Sequence, residues 1–128
     1  MPISISIRTI LLIDAAACAI MGAMLAGFPG LLNRWTLIPE LLLFYAGISL
    51  FPVALFIAVT ALLHPLMRRA VECVIAGNIL WVIGSIALPG LTTMNGLGAA
   101  FILAQALAVA LLTWLEYAGL QSANRSRA

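Results

Sequence analysis

The sequence predicts an all-α integral membrane protein, a four-transmembrane-helix up-down bundle with a short interfacial segment in the first outer loop. Two observations indicate this fold class. Of the 128 residues, 65% are hydrophobic and only 8% are charged, whereas soluble domains are about half apolar and about one quarter charged. The apolar residues also form four runs near the length of about 20 residues that crosses a bilayer. We therefore expect residues 1–128 to form a single membrane domain.

The four predicted spans cover about residues 9–27, 41–63, 70–88 and 97–117. Every connection between them contains proline or glycine, which favour turns. Because the connections are short, consecutive spans should be antiparallel neighbours. Pro52 lies in the middle of the second span and predicts a kink there. This kink either only shapes the helix or forms a hinge or the wall of a ligand pocket.

The arginines predict the orientation in the membrane. With four spans, both termini and the middle loop share one side, and positive residues in short loops stay in the cytoplasm. That side would hold five of the six arginines, against Arg34 alone on the other. We therefore expect a multi-pass protein of the bacterial inner (cytoplasmic) membrane with both termini cytoplasmic. The five arginines are Arg8, Arg68, Arg69, Arg125 and Arg127.

The first outer loop, between the first and second spans, is unusually apolar. Its segment 31–35, which contains Arg34 and Trp35, favours a short helix lying in the headgroup region, since tryptophan and arginine prefer that interface. The alternative is an irregular loop that dips into the lipid.

Small residues predict how the helices meet. Lipid tails are as apolar as leucine, so helices associate through close backbone approach and polar contacts. Residues at four-residue spacing form one ridge on the first span and another on the fourth, which predicts that these two helices lie side by side. The ridges are Ala15, Ala19, Ala23 and Gly27, and Ala100, Ala104 and Ala108.

Asp14 is the first candidate for a functional residue, because an ionisable group inside a span suggests a functional site. It lies six residues after Arg8, or about 9 Å along a helix. Asp14 could bind a proton or a cation, or it could pair with arginines and only fix helix packing. The candidates for cytoplasmic ion pairs are Arg8, Arg68, Arg69, Glu72 and Glu116.

Asn78 and Gln105 form the second candidate site, because the depths predicted for them converge near the middle of the membrane. Asn78 lies about 14 Å into the third span, and Gln105 about 12 Å into the fourth from the opposite end. We expect the two amides to face each other, either as a structural clasp or as part of a ligand site. Trp81 and Ser85 lie on the same face of the third helix as Asn78.

Several function classes lack their residues in this sequence. There is no lysine for a Schiff base, and no stripe of basic residues for binding nucleic acid. Cys18 and Cys73 lie in apolar runs and are interpreted as small core residues. His64, the only histidine, is expected in a solvated loop. No catalytic constellation is recognisable, so we expect no catalytic residues, no metal and no cofactor.

Segments 76–82 (AGNILWV), 105–106 (QA) and 115–120 (LEYAGL) resemble a type of small bacterial four-span inner-membrane protein. The chain is also similar in architecture to the small multidrug resistance transporters. That likeness implies an acidic residue in the first helix that exchanges protons for cationic drugs, a role for which Asp14 is the matching residue. This chain has aspartate where that family has glutamate, and it lacks an aromatic stripe around the acid.

Together, these observations predict a non-enzymatic membrane protein. It would act as an accessory subunit of a larger membrane complex or as a small lipophile-binding module. The alternative is a proton-coupled small transporter of hydrophobic cations that uses Asp14. The expected partners are the lipid bilayer and other membrane subunits or further copies of the chain, with no nucleic acid.

Overall fold

The computed structural model describes residues 6–63 and 65–127, with side chains described as far as residue 121. His64 and Ala128 lie outside the described residues, as do the side chains of Arg125 and Arg127. The described part is all-helical, as predicted. Its helices are α1 (Ile7–Gly27), α2 (Pro29–Thr36), α3 (Glu40–Leu62), α4 (Arg68–Leu91) and α5 (Gly96–Arg127).

Four of these helices are long and apolar enough to cross a membrane: α1, α3, α4 and the part Gly96–Gln121 of α5. The four predicted spans are thus confirmed as helices. The segment predicted to be interfacial is also helical, because 31–35 lies within α2. The largest difference is in α5, which continues to Arg127 instead of ending near Tyr117. No proline follows Tyr117 to break the helix.

The α1 and α3 helices form the most extensively packed pair. Their backbones meet at two glycines, because a Cβ on Gly22 would lie 2.9 Å from the carbonyl oxygen of Gly47. A Cβ on Gly47 would lie 2.6 Å from the amide nitrogen of Ala26 and 2.8 Å from Cβ of Leu25. Leu50 likewise approaches Gly22, so the two helices run antiparallel. Only glycine allows so close an approach.

This glycine contact differs from the predicted alanine ridges. In α1 the ridge is buried only at Ala15, while Ala23 and Gly27 are exposed. The three ridge alanines of α5, Ala100, Ala104 and Ala108, are all exposed. The α1 helix does touch α5, but it packs more closely on α3. The reason is physical, since paired glycines let two backbones approach more closely than alanine permits.

The α4 and α5 helices form the second pair, which is also antiparallel because Asn78 contacts Glu116 while Ser85 contacts Gln105. The α3 and α4 helices touch little, although they are consecutive spans. A cleft therefore remains between the α1–α3 pair and the α4–α5 pair.

Two apolar clusters hold the two pairs together near opposite ends of the bundle. One cluster joins all four long helices, and its buried members are Leu11, Ala15, Ile57, Ala61, Val71, Val74 and Leu120. The other lies near α2, and its buried members are Leu25, Ile38, Leu43, Leu50 and Ile102. Between the ends, polar groups and the cleft interrupt the apolar core.

The two loops at the α2 end are linked by Asn95. Its Nδ2 donates to the carbonyl oxygen of Trp35 at 2.8 Å, and its backbone N–H donates to the carbonyl oxygen of Thr36 at 2.9 Å. These bonds attach α2 to the start of α5, and they close that end of the bundle.

Candidate functional site

Three polar side chains from three helices meet inside the bundle. Nδ2 of Asn78 donates to Oδ2 of Asp14 at 2.8 Å and to Oε1 of Glu116 at 3.1 Å. We call Asp14, Asn78 and Glu116 the acid–amide cluster. Asp14 is 1% exposed, Asn78 6% and Glu116 0%, so the protein almost completely shields three polar groups that are costly to bury.

The local packing explains how each helix presents its residue. Asp14 lies on the buried face of α1, next to Leu11 and Ala15, which belong to the first apolar cluster. Glu116 lies one helical turn before Leu120, another member of that cluster. Side chains four residues apart share a helix face, so the apolar contacts that bury α5 also turn Glu116 inward.

The charge of the cluster is unbalanced. Both carboxyl groups contact one nitrogen, so they lie within the roughly 6 Å over which like charges interact strongly. Among the described residues, Oε2 of Glu116 has no hydrogen-bond partner. The described hydrogen bonds and ion pairs bring no arginine to either carboxyl group. Two adjacent buried acidic groups with no described cation beside them are unfavourable.

The structure places Glu116 and Arg8 differently from the predicted cytoplasmic ion pairs. Glu116 is not near a helix end, because α5 extends well beyond it. Arg8 instead donates from one guanidinium nitrogen to the carbonyl oxygens of Ala61 at 2.8 Å and Leu63 at 2.5 Å. These carbonyls lie at the C-terminal end of α3, where a helix lacks internal donors.

The remaining ion-pair candidates lie at the start of α4. Nε of Arg68 and Oε2 of Glu72 are 3.4 Å apart, and both side chains are about half exposed. An exposed pair of this kind contributes little to stability in water. Arg69 is exposed as well. None of the three reaches the acid–amide cluster through a described hydrogen bond or ion pair.

Gln105 belongs to a second polar group, on the α2 side of the cluster. Nε1 of Trp81 donates to Oε1 of Gln105 at 2.9 Å. Nε2 of Gln105 donates to Oγ of Ser85 at 2.8 Å and to the carbonyl oxygen of Ile102 at 2.9 Å. We call Trp81, Ser85 and Gln105 the indole–amide network.

The predicted contact between Asn78 and Gln105 therefore does not form in the described structure. Asn78 turns toward Asp14 and Glu116, because helix packing brings both carboxyl groups within reach of its Nδ2. Gln105 finds Trp81 and Ser85 instead, the two residues that the sequence placed on the same face as Asn78. The two amides still border one space, because both line the cavity described next.

A cavity of about 390 Å³ lies between the two helix pairs, and we call it the main cavity. Asp14, Asn78, Trp81 and Gln105 contribute its polar groups, and apolar side chains form most of the remaining wall. Pro52 lines it too, so the predicted kink position borders a pocket. The main cavity is partly open, since several of its lining residues are exposed, among them Val53, Phe56, Cys73 and Gly77.

Glu116 is the residue whose environment the sequence did not indicate. The spacing of Thr113, Glu116 and Leu120 places these three residues on one face of a helix. This spacing alone does not reveal whether that face is buried. Within the described residues, no group of three histidine, cysteine, aspartate or glutamate residues could hold a metal ion. No protein-family model, curated protein or solved structure matches the chain.

Proposed function

We propose that this protein is a non-enzymatic, integral membrane protein that binds a small lipophilic molecule in the main cavity. The observation that carries the proposal is an apolar cavity of about 390 Å³ with a buried acidic group in its wall. This volume lies in the range of about 300–1,000 Å³ that is typical of small-molecule sites, and such sites combine apolar walls with a few polar groups.

The polar groups of the main cavity favour a ligand with a positively charged head. Both hydrogens of the Asn78 amide are engaged by carboxyl oxygens, and the N–H groups of Trp81 and Gln105 are engaged in the indole–amide network. The carboxyl group of Asp14 accepts from Asn78 at Oδ2 and from Sγ of Cys18, at 3.8 Å, at Oδ1, and each carboxyl oxygen can accept a further contact from a cation. None of the described lining residues is basic, so a cation is attracted and an anion is repelled.

The test compares leucine substitutions at two glycines of α4. A Cβ at Gly77 or at Gly90 would meet nothing within 4 Å, but only Gly77 lines a described cavity. Gly77→Leu should weaken binding of hexyltrimethylammonium about tenfold because it fills the cavity, whereas Gly90→Leu should bind like the wild type. Binding is measured by equilibrium dialysis of protein in lipid nanodiscs, with empty nanodiscs subtracted.

A second substitution tests the charge of the site. Asp14→Asn keeps the shape of the side chain and removes its charge, so it should weaken binding of the cation. The neutral analogue of hexyltrimethylammonium, in which a carbon atom replaces the ammonium nitrogen, should bind to this variant nearly as it binds to the wild type.

Equal affinities of Gly77→Leu and Gly90→Leu for the cation would refute the binding site itself.

A proton-coupled small transporter of hydrophobic cations is the second candidate function. The acid–amide cluster favours it, because Asp14 and Glu116 are adjacent buried acids with no described cation beside them, and a proton and an organic cation would compete for such a site. Four helices alone leave little room for an aqueous path, so this candidate requires an oligomer. Adding hexyltrimethylammonium to weakly buffered protein should release protons. Absence of release from folded protein, at neutral and mildly alkaline pH, would exclude proton coupling.

An accessory subunit of a larger membrane complex is the other version of the binding hypothesis. The outer faces of the helices support it, since large apolar side chains such as Leu55 and Leu107 are 66% and 72% exposed. Such surfaces fit either lipid or another membrane protein. Affinity purification at native expression levels decides between them. Recovery of only this chain and its lipids, in several mild detergents, would remove the accessory-subunit version.

We also propose the bacterial inner membrane as the location, with an up-down arrangement of the four long helices and both termini in the cytoplasm. The five-to-one distribution of arginines supports this orientation. In this arrangement α2 lies at the outer surface, where Trp35, which is 63% exposed, can occupy the headgroup region.

A further inference from the structure

A second cavity, of about 250 Å³, lies beside the main cavity. The two share three lining residues, Met21, Trp81 and Gln105. The second cavity extends from these residues toward α2 and is bordered by Leu25, Ile38 and other apolar side chains. The three shared side chains therefore form a wall common to both spaces.

The second cavity differs chemically from the main cavity. Its polar lining residues, Ser85, Trp81 and Gln105, bond to one another in the indole–amide network. No acidic residue is among its described lining residues. Such a space suits hydrocarbon and disfavours a charged head, because burying an unpaired charge is costly.

The shared wall contains an adaptable side chain. Met21 is unbranched and has three rotatable side-chain bonds, so methionine fills irregular space and repacks easily. Asp14 in the main cavity and Leu25 in the second lie eleven residues apart on α1, which is about 16 Å along a helix. A polar end and an apolar end are thus arranged in line along the bundle.

We propose that the two cavities bind one ligand, an ammonium ion with a single alkyl chain. The head lies beside Asp14, and the chain passes Met21 and the Trp81–Gln105 pair into the second cavity. This proposal rests on the proposed binding function and adds the class of ligand, namely a linear amphiphilic cation. The head site provides charge recognition, and the second cavity sets the chain length that is accepted.

Three glycines of α4 allow the two cavities to be filled separately. A Cβ at Gly77, Gly84 or Gly90 would meet nothing within 4 Å. Gly77 lines the main cavity, Gly84 lines the second, and Gly90 lines neither. The same leucine substitution at each position therefore provides a matched set. Ala46→Leu, on α3, fills the second cavity from the opposite wall.

The experiment measures the affinities of butyl- and decyltrimethylammonium by equilibrium dialysis in nanodiscs. The measured quantity is the ratio of the two affinities for each variant relative to the wild type, which cancels the partitioning of the probes into lipid. Gly84→Leu and Ala46→Leu should each reduce the preference for the decyl probe about tenfold, while Gly90→Leu should preserve it. Gly77→Leu should weaken binding of both probes.

The outcomes separate the two proposals. If Gly84→Leu and Ala46→Leu retain the wild-type ratio, the chain does not enter the second cavity, and the linear-ligand proposal is overturned whatever Gly77→Leu does. If Gly77→Leu instead binds both probes like Gly90→Leu, the main cavity is not a binding site and the proposed function fails. Should Gly84→Leu not fold, the ratio measured for Ala46→Leu decides.

Discussion

Asp14 and Glu116 lie on different helices near opposite ends of the sequence, yet a single nitrogen atom of Asn78 contacts both carboxyl groups, at 2.8 and 3.1 Å. This one amide thereby connects α1, α4 and α5 inside the bundle. Its two hydrogens satisfy one oxygen of each acid, and Oε2 of Glu116 is left without a partner among the described residues. The arrangement has consequences for stability that can be measured.

Asn78→Leu should destabilise the fold strongly, because two buried carboxyl oxygens lose their donor. An orphaned buried polar group costs about 1–3 kcal/mol. The matched control replaces all three members of the acid–amide cluster by leucine, and it should recover much of the loss because no polar group is left unsatisfied. The measurement is the free energy of unfolding in detergent micelles. A triple variant as unstable as the single variant would contradict this account.

Gly47→Ala should lower the free energy of unfolding by about 1–3 kcal/mol, as overpacking does. The new methyl group would lie 2.6 Å from the amide nitrogen of Ala26, and a backbone atom cannot move aside as a side chain can. Gly77→Ala is the control, since a Cβ there meets nothing within 4 Å. Equal stability of the two variants would show that the glycine contact between α1 and α3 is not tight.

Arg8→Ala should destabilise the C-terminal end of α3, since the Arg8 guanidinium bonds the carbonyl oxygens of Ala61 and Leu63. A cation at a helix C-terminus typically contributes about 0.3–1 kcal/mol, and up to about 2 kcal/mol where it is partly buried. Hydrogen exchange at the end of α3 should accelerate in this variant. The exposed Arg69 is the control, and a similar acceleration in Arg69→Ala would point to a general effect of charge.

A double-mutant cycle should show that Asn78 and Gln105 act independently. Their described hydrogen bonds go to different partners, so the effects of Asn78→Leu and Gln105→Leu on unfolding should add within about 0.5 kcal/mol. The pair Trp81→Phe and Gln105→Leu should instead show coupling of about 0.5 kcal/mol or more, because these side chains share a hydrogen bond. Coupling between Asn78→Leu and Gln105→Leu, together with additive effects of Trp81→Phe and Gln105→Leu, would support a direct contact of the two amides.

A reporter that is active only in the periplasm should be inactive when fused after Ala128. The expectation follows from the arginine distribution, because positive loops remain in the cytoplasm. The same reporter inserted after Trp35, in α2, should be active. Activity at the C-terminus would reverse the orientation and exchange the inner and outer sides proposed above.

The helices could be predicted from the sequence, but most of their contacts could not. Hydrocarbon thickness sets the length of an apolar run, so the four spans followed directly from composition and turn residues. Contacts depend instead on how each helix is rotated about its axis. The chain has ten glycines, and nothing local distinguishes Gly22 and Gly47, which face each other, from Gly77, which faces open space.

In the candidate site, too, the polar residues could be predicted from the sequence, but most of their contacts could not. Asp14 and Asn78 were recognisable as polar residues inside spans, and both belong to the acid–amide cluster. The predicted span 97–117 puts Glu116 next to a helix end, whereas α5 continues to Arg127. The partners of Asn78 and Gln105 could not be predicted, because the choice between acceptors is made by helix packing and not by depth along a helix.

The acid–amide cluster also bears on how the chain enters the membrane during synthesis. Asp14 belongs to the first helix to be made, whereas Asn78 and Glu116 belong to the last two. A nascent chain that has completed only α1 to α3 therefore has an acid within a span and neither of its final partners, which is costly in lipid. We expect α1 to stay beside the insertion machinery until α4 and α5 emerge. An apolar residue in place of Asp14 should then ease insertion, even though it removes a hydrogen-bond partner of Asn78 in the finished fold.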